Sequence, residues 1–137
     1  PIPMSYYIAR TVSGPFEAVV ADVVERLKAQ GFGILSDIDV QATLKAKLGA
    51  DMPPYRILGA CNPSFAHQAL QIEDKLGVLL PCNVIVRETA DRRVEVASVD
   101  PVVSMDRTGN AALASTAEEV RRRLASVIEA VASQPAR

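Results

Sequence analysis

The sequence predicts an α+β domain, a two-layer α/β sandwich with a mainly antiparallel five-stranded sheet in the order β-α-β-(α)-β-(α)-β-β-α. Three observations predict it. Two apolar stripes fall at helical spacing, one formed by Phe16, Val19, Val20, Val23, Val24 and Leu27 and the other by Val120, Leu124, Val127 and Val131. Short β-branched segments alternate with period two, most clearly at Cys82–Glu88 and Val94–Val99. The 137 residues with 49% hydrophobic content make a single domain, 1–137, able to bury a core. Such a sheet has its second face covered by the short inserted helices or by another subunit, because an open apolar face invites aggregation.

In chain order, residues 1–3 read as a remnant ahead of a native start at Met4. If Pro1 is instead a free N-terminus, Pro-Ile resembles the opening of the tautomerase superfamily, which implies a proline amine acting as a base; the likeness ends after two residues. Met4 to Thr11 alternates as a half-buried strand. Ser13-Gly14-Pro15 opens the first long helix and Gly31 ends it. Phe32 to Ile38 follows as a strand. Asp39 then caps a short helix, Val40 to Leu48, closed by Gly49, with Val40, Leu44 and Leu48 inward. Asp51-Met52-Pro53-Pro54 turns into a buried strand, Tyr55 to Ala60.

Asn62-Pro63 stops that strand and starts a helix. The asparagine oxygen accepts from an otherwise unpaired amide, and proline at the first helical position loses no hydrogen bond. Phe65, Ala66, Ala69 and Leu70 continue at helical spacing, with Gly77 as the stop. Leu79-Leu80-Pro81 leads into Cys82–Glu88, whose Cys82, Val84 and Val86 share one face and Asn83, Ile85 and Arg87 the other. Val94–Val99 is its hairpin partner. Asp100-Pro101 to Gly109 reads as a loop. Ser115 and Glu118 form a capping box on the last helix, and residues 134–137 fray.

Chemistry-bearing residues cluster in the middle of the chain. Cys61 precedes a helix N-terminus, a setting that lowers a thiol's pKa or holds an anion, and Cys82 opens the neighbouring strand. Both thiols are also small enough to be plain packing. The ligand-binding candidates are Lys45, Cys61, Asn62, Cys82, Asn83 and Asp100, with Lys45 facing either solvent or an anionic ligand. The catalytic residues are unknown and no metal or cofactor is expected: two distant cysteines and one histidine, His67, match no zinc spacing, no catalytic triad and no glycine-rich phosphate loop. Asp37 and Asp39 lie two apart, but capping accounts for Asp39. Arg121, Arg122 and Arg123 fan over about 300° of a helix and form no single patch.

A formal net charge of −1, 4% aromatic residues and no tryptophan argue against nucleic acid as a partner. No apolar run approaches the roughly 20 residues that span a bilayer, and no secretory leader is visible, so the expectation is a cytoplasmic protein without membrane contact.

The residues GACNP at Gly59–Pro63, the pair Ala69-Leu70, Leu80-Pro81-Cys82-Asn83 and GFGILSDIDVQATLKAKLG at Gly31–Gly49 together resemble the domain-of-unknown-function 302 family. The likeness reaches Asp100-Pro101 and the helical C-terminus. It implies a small bacterial or archaeal α+β domain with a fold similar to the TATA-binding protein, often a homodimer, with no established activity. The function expected is a ligand-binding or interaction module at the two Cys-Asn steps; the alternative is a thiol-dependent enzyme or redox protein using Cys61 with Cys82.

Overall fold

A computed structural model describes residues 5–135. The readings placed on Pro1 and Met4 lie outside the described residues. The elements are β1 (Tyr7–Val12), α1 (Phe16–Ala29), β2 (Gly33–Asp39), α2 (Val40–Leu48), β3 (Tyr55–Cys61), α3 (Pro63–Ile72), β4 (Cys82–Glu88), β5 (Val94–Val99), α4 (Pro101–Asp106) and α5 (Ala114–Ala130). The five strands form one sheet in the order β1-β5-β4-β3-β2, and every neighbouring pair is antiparallel. The α+β fold and the succession of strands are those the sequence predicts, with one further short helix, α4, between β5 and α5.

The period-two alternation of the strands sorts their side chains to two faces. Leu58, Ala60, Cys82, Val84, Val86, Val94 and Val96 meet Val19, Val20, Val23 and Leu27 of α1 and Val120, Leu124, Val127 and Ile128 of α5 in one buried cluster. Each such aliphatic side chain contributes about 1.5–3 kcal/mol when fully buried, so this layer dominates the stability. A smaller cluster of Ala69, Leu76, Met105, Leu113 and Ala117 lies under α3 and α4. On the opposite face, Tyr7, Tyr55, Asn83, Ile85, Arg87, Glu95, Ala97 and Val99 line an open groove to which no helix contributes a wall residue.

Several local expectations are corrected. The first strand runs from Tyr7 to Val12, and Ser5 and Tyr6 stand ahead of it. In α2 the cap on Asp39 and the left-handed Gly49 are as expected, yet no side chain of the helix is fully buried: Val40 and Leu44 are half-buried and Leu48, at the end of the stripe, stands 75% exposed. α3 stops at Ile72, and Gly77 lies within a separate 3-10 turn, Leu76–Leu79. Asp100-Pro101 opens the helix α4 rather than a loop. Ser115 makes no cap, because α5 continues directly from a 3-10 turn, Ala111–Leu113, which Asn110 caps. Gln134 is tied down, its amide donating to Ser13 O at 2.8 Å.

Candidate functional site

The site is built at the adjoining ends of β3 and β4. Their register sets Ala60 opposite Cys82 and Gly59 opposite Asn83, so Ala60 and Cys82 point toward the helical layer. Cys61 ends β3, opposite Gly33 of β2. The chain then leaves the sheet at Asn62, whose Oδ1 accepts from Phe65 N at 3.4 Å, and Pro63 begins α3. Two close approaches hold this corner. A side chain at Gly31, where φ is +88°, would meet Asn62 Nδ2 at 2.9 Å. One at Gly59 would meet Pro81 Cγ at 2.8 Å and the Ser36 hydroxyl.

Between this corner, α3, the Leu76–Leu79 turn and α5 lies a cavity of about 310 Å³. Cys61, Asn62 and Cys82 share it with Phe32, Phe65, Leu80, Met105, Thr116 and Val120 among others, and among the described residues no charged side chain lines it. Its walls grade from exposed to buried. Leu35 is 69% and Leu70 39% exposed at the mouth, whereas Ala69, Cys82, Met105, Thr116 and Val120 are buried within. Arg123 pins the aromatic wall from outside: its guanidinium lies 5.1 Å from the Phe65 ring centre, donates to Gln30 O at 3.0 Å and pairs with Glu119.

Both cysteines are free thiols, Cys61 half-buried and Cys82 buried. Burial pushes the Cys82 thiol up to about 11, and the neighbouring Cys61 adds to the rise. Cys82 is therefore neutral at physiological pH. By strand parity the two side chains leave the sheet on opposite faces, although both reach the cavity around the sheet's end.

Of the six candidates from sequence, the structure brings Cys61, Asn62 and Cys82 together and leaves three elsewhere. Lys45 sits on exposed α2, paired with Asp51 at 2.7 Å. Asn83 faces the open side of the sheet. Asp100 is buried but committed, accepting from Val102 N at 3.0 Å and from Arg121 Nε at 2.9 Å. Asp37 is held below the usual carboxylate range by its hydrogen bond from Arg56, against the opposing effect of burial. Asp39 accepts from Ala42 N, and exposed His67 lies 3.3 Å from Gln71. Among the described residues no group of three His, Cys, Asp or Glu side chains is placed to hold a metal, and no helix is long and apolar enough to cross a membrane.

Thr116 and Met105 are the wall residues that sequence reasoning missed. Thr116 stands four residues before Val120 on the inward stripe of α5, so the helical period carried a signal that its polar side chain disguised.

Comparison with known proteins agrees with this architecture. The family described as domain of unknown function DUF302 matches residues 8–131. A crystal structure of an uncharacterised conserved DUF302 protein from Bacillus stearothermophilus is similar with a TM-score of 0.87 and 26% identity, over 93% of this chain and 99% of that one. No curated protein matches the chain significantly.

Proposed function

The chain belongs to the DUF302 family, and as that membership carries a fold without a chemistry, we propose from the cavity itself that the domain binds a small, uncharged, largely apolar molecule. The observation that carries this reading is the cavity of about 310 Å³ at the Cys61-Asn62 corner, walled by aliphatic and aromatic side chains with a few polar groups. That volume and lining are those of small-molecule sites. An anion fits less well: Lys45 lies elsewhere, no cation lines the walls, and burying an unpaired charge is costly.

Titration with 1-aminoanthracene, an uncharged fluorophore, tests the reading. Binding with enhanced emission is expected, and Ala66→Trp, which fills the cavity from α3, abolishes it. No binding to the wild-type protein, or equal binding to the variant, refutes the assignment.

Thiol chemistry is the second reading, favoured by two free thiols on one cavity. The attacking group would be Cys61, because the thiolate is the nucleophile and Cys82 holds its proton. Labelling of Cys61 in the native protein with a midpoint below about 8.5 supports it; labelling only after unfolding removes it. Free thiols also suit a reducing, cytoplasmic setting.

For the open face of the sheet we propose a second copy of the chain as cover, since exposed Tyr7 and half-buried Ile85 and Val99 would otherwise stay wet. Light scattering should then give twice the 14.7 kDa chain mass, and a monomer at micromolar concentration is the contrary result.

A further inference from the structure

The cavity has a polar point on its inner wall that the fold does not use. Thr116 is 8% exposed and lines the cavity, and no hydrogen bond among the described residues engages its hydroxyl. Yet among the described residues no fully buried side-chain oxygen or nitrogen is left without a partner. The Thr116 oxygen is therefore one that still reaches open space, and the space Thr116 borders is this cavity. In the same helix Ser126 satisfies its hydroxyl on the carbonyl four residues back, at 3.1 Å. Thr116 does not.

We infer that Thr116 is the positioning residue for the ligand, which enters head first with a single uncharged hydroxyl or carbonyl group on the Thr116 hydroxyl and leaves an alkyl tail toward Leu35 and Leu70 at the mouth. The inference rests on the cavity reading above and adds the ligand's chemical class and orientation. A threonine hydroxyl both donates and accepts, so it serves either head group. The head is neutral because no charged side chain lines the walls to compensate an ion. The tail points outward because the exposed aliphatic surface is at the mouth, where further methylenes can still leave water.

The test is displacement of 1-aminoanthracene by 1-hexanol and by 1-chlorohexane, which share a tail and differ in the head. In Thr116→Val the affinity for hexanol should fall roughly three- to tenfold, the value of one hydrogen bond, with chlorohexane unchanged. Thr116→Ser should restore hexanol binding. Because the hydroxyl has no partner in the fold, Thr116→Val should keep its thermal midpoint, whereas a structural role would lower it. Equal hexanol affinity in wild type and Thr116→Val overturns the assignment to Thr116 and leaves the cavity reading standing so long as chlorohexane binds. Failure of both compounds to displace the fluorophore from the wild-type protein overturns the two together. If Thr116→Val does not fold, the wild-type protein still decides on the neutral head: hexanoate must bind at least tenfold more weakly than hexanol, and equal binding refutes it.

Discussion

Cys82 shows how a residue's surroundings assign its chemistry. Its folded pKa, about 11, lies above the 9.0 of an ordinary thiol, chiefly because burial disfavours the thiolate. Below pH 9.0 the thiol is neutral in both folded and unfolded chains and costs nothing. Between 9.0 and about 11 the unfolded chain ionises while the folded one cannot, so stability is lost as pH rises through that window. Thermal midpoints of wild type and Cys82→Ala, followed through that range, should diverge from this cause, the wild type falling more steeply; parallel curves would mean that the thiol is not desolvated. At Leu124, fully buried between α5 and the sheet, truncation to alanine should cost about 2–5 kcal/mol by chemical denaturation. On α1 and α5 most of the buried residues were legible from their spacing, whereas on α2 the same spacing marked Leu48, which is exposed. That Lys45 and Asp100 stand apart from Cys61 was not legible, because sequence proximity to a family motif carries no distance. Asp100 was engaged by Arg121, 21 residues away, a partner that no local pattern names.

For elements, helix starts followed local chemistry where a cap and proline coincide. Asn62-Pro63 and Asp100-Pro101 obey one rule, an oxygen that accepts from an early amide followed by a residue with no N–H to waste. The second was legible and was passed over because α4 has only 6 residues, too few for an apolar period to appear. The failure at Ser115 is the converse. A capping box has work to do only at a free helix start, and here the Ala111–Leu113 turn already fills that place. Asp100 links three elements, since it caps α4, pairs with α5 and follows β5. Arg121→Ala should therefore destabilise the protein measurably, by leaving a carboxylate at 3% exposure without its cation. Urea denaturation of Arg121→Ala, Asp100→Asn and the double variant should give less than the sum of the single costs; strict additivity would deny the coupling.

For the whole molecule, one sheet face is closed by α1 and α5 and the other is open. The sandwich was legible because both its periods, 3.6 and 2, are written into single segments. The cavity was legible only in part. Its thiols and asparagine lie on one continuous stretch, but Met105, Thr116 and Val120 come from the last third of the chain, and their convergence is a property of the packed layer.

The sheet order has a consequence for time as well as shape. β2, β3, β4 and β5 are neighbours in space as in sequence, whereas β1 lies beyond β5 and is fastened to the far end of the chain. Arg10 Nε donates to Val131 O across 121 residues, and Ser13 exchanges hydrogen bonds with Ser133 and Gln134. Loops that long close late, so β1, made ahead of the other four strands of this sheet, is the last to be seated. A nascent chain halted before α5 leaves the ribosome would hold a four-stranded meander with β1 still free, and amides of β1 should be the last to gain protection in pulsed hydrogen exchange during refolding.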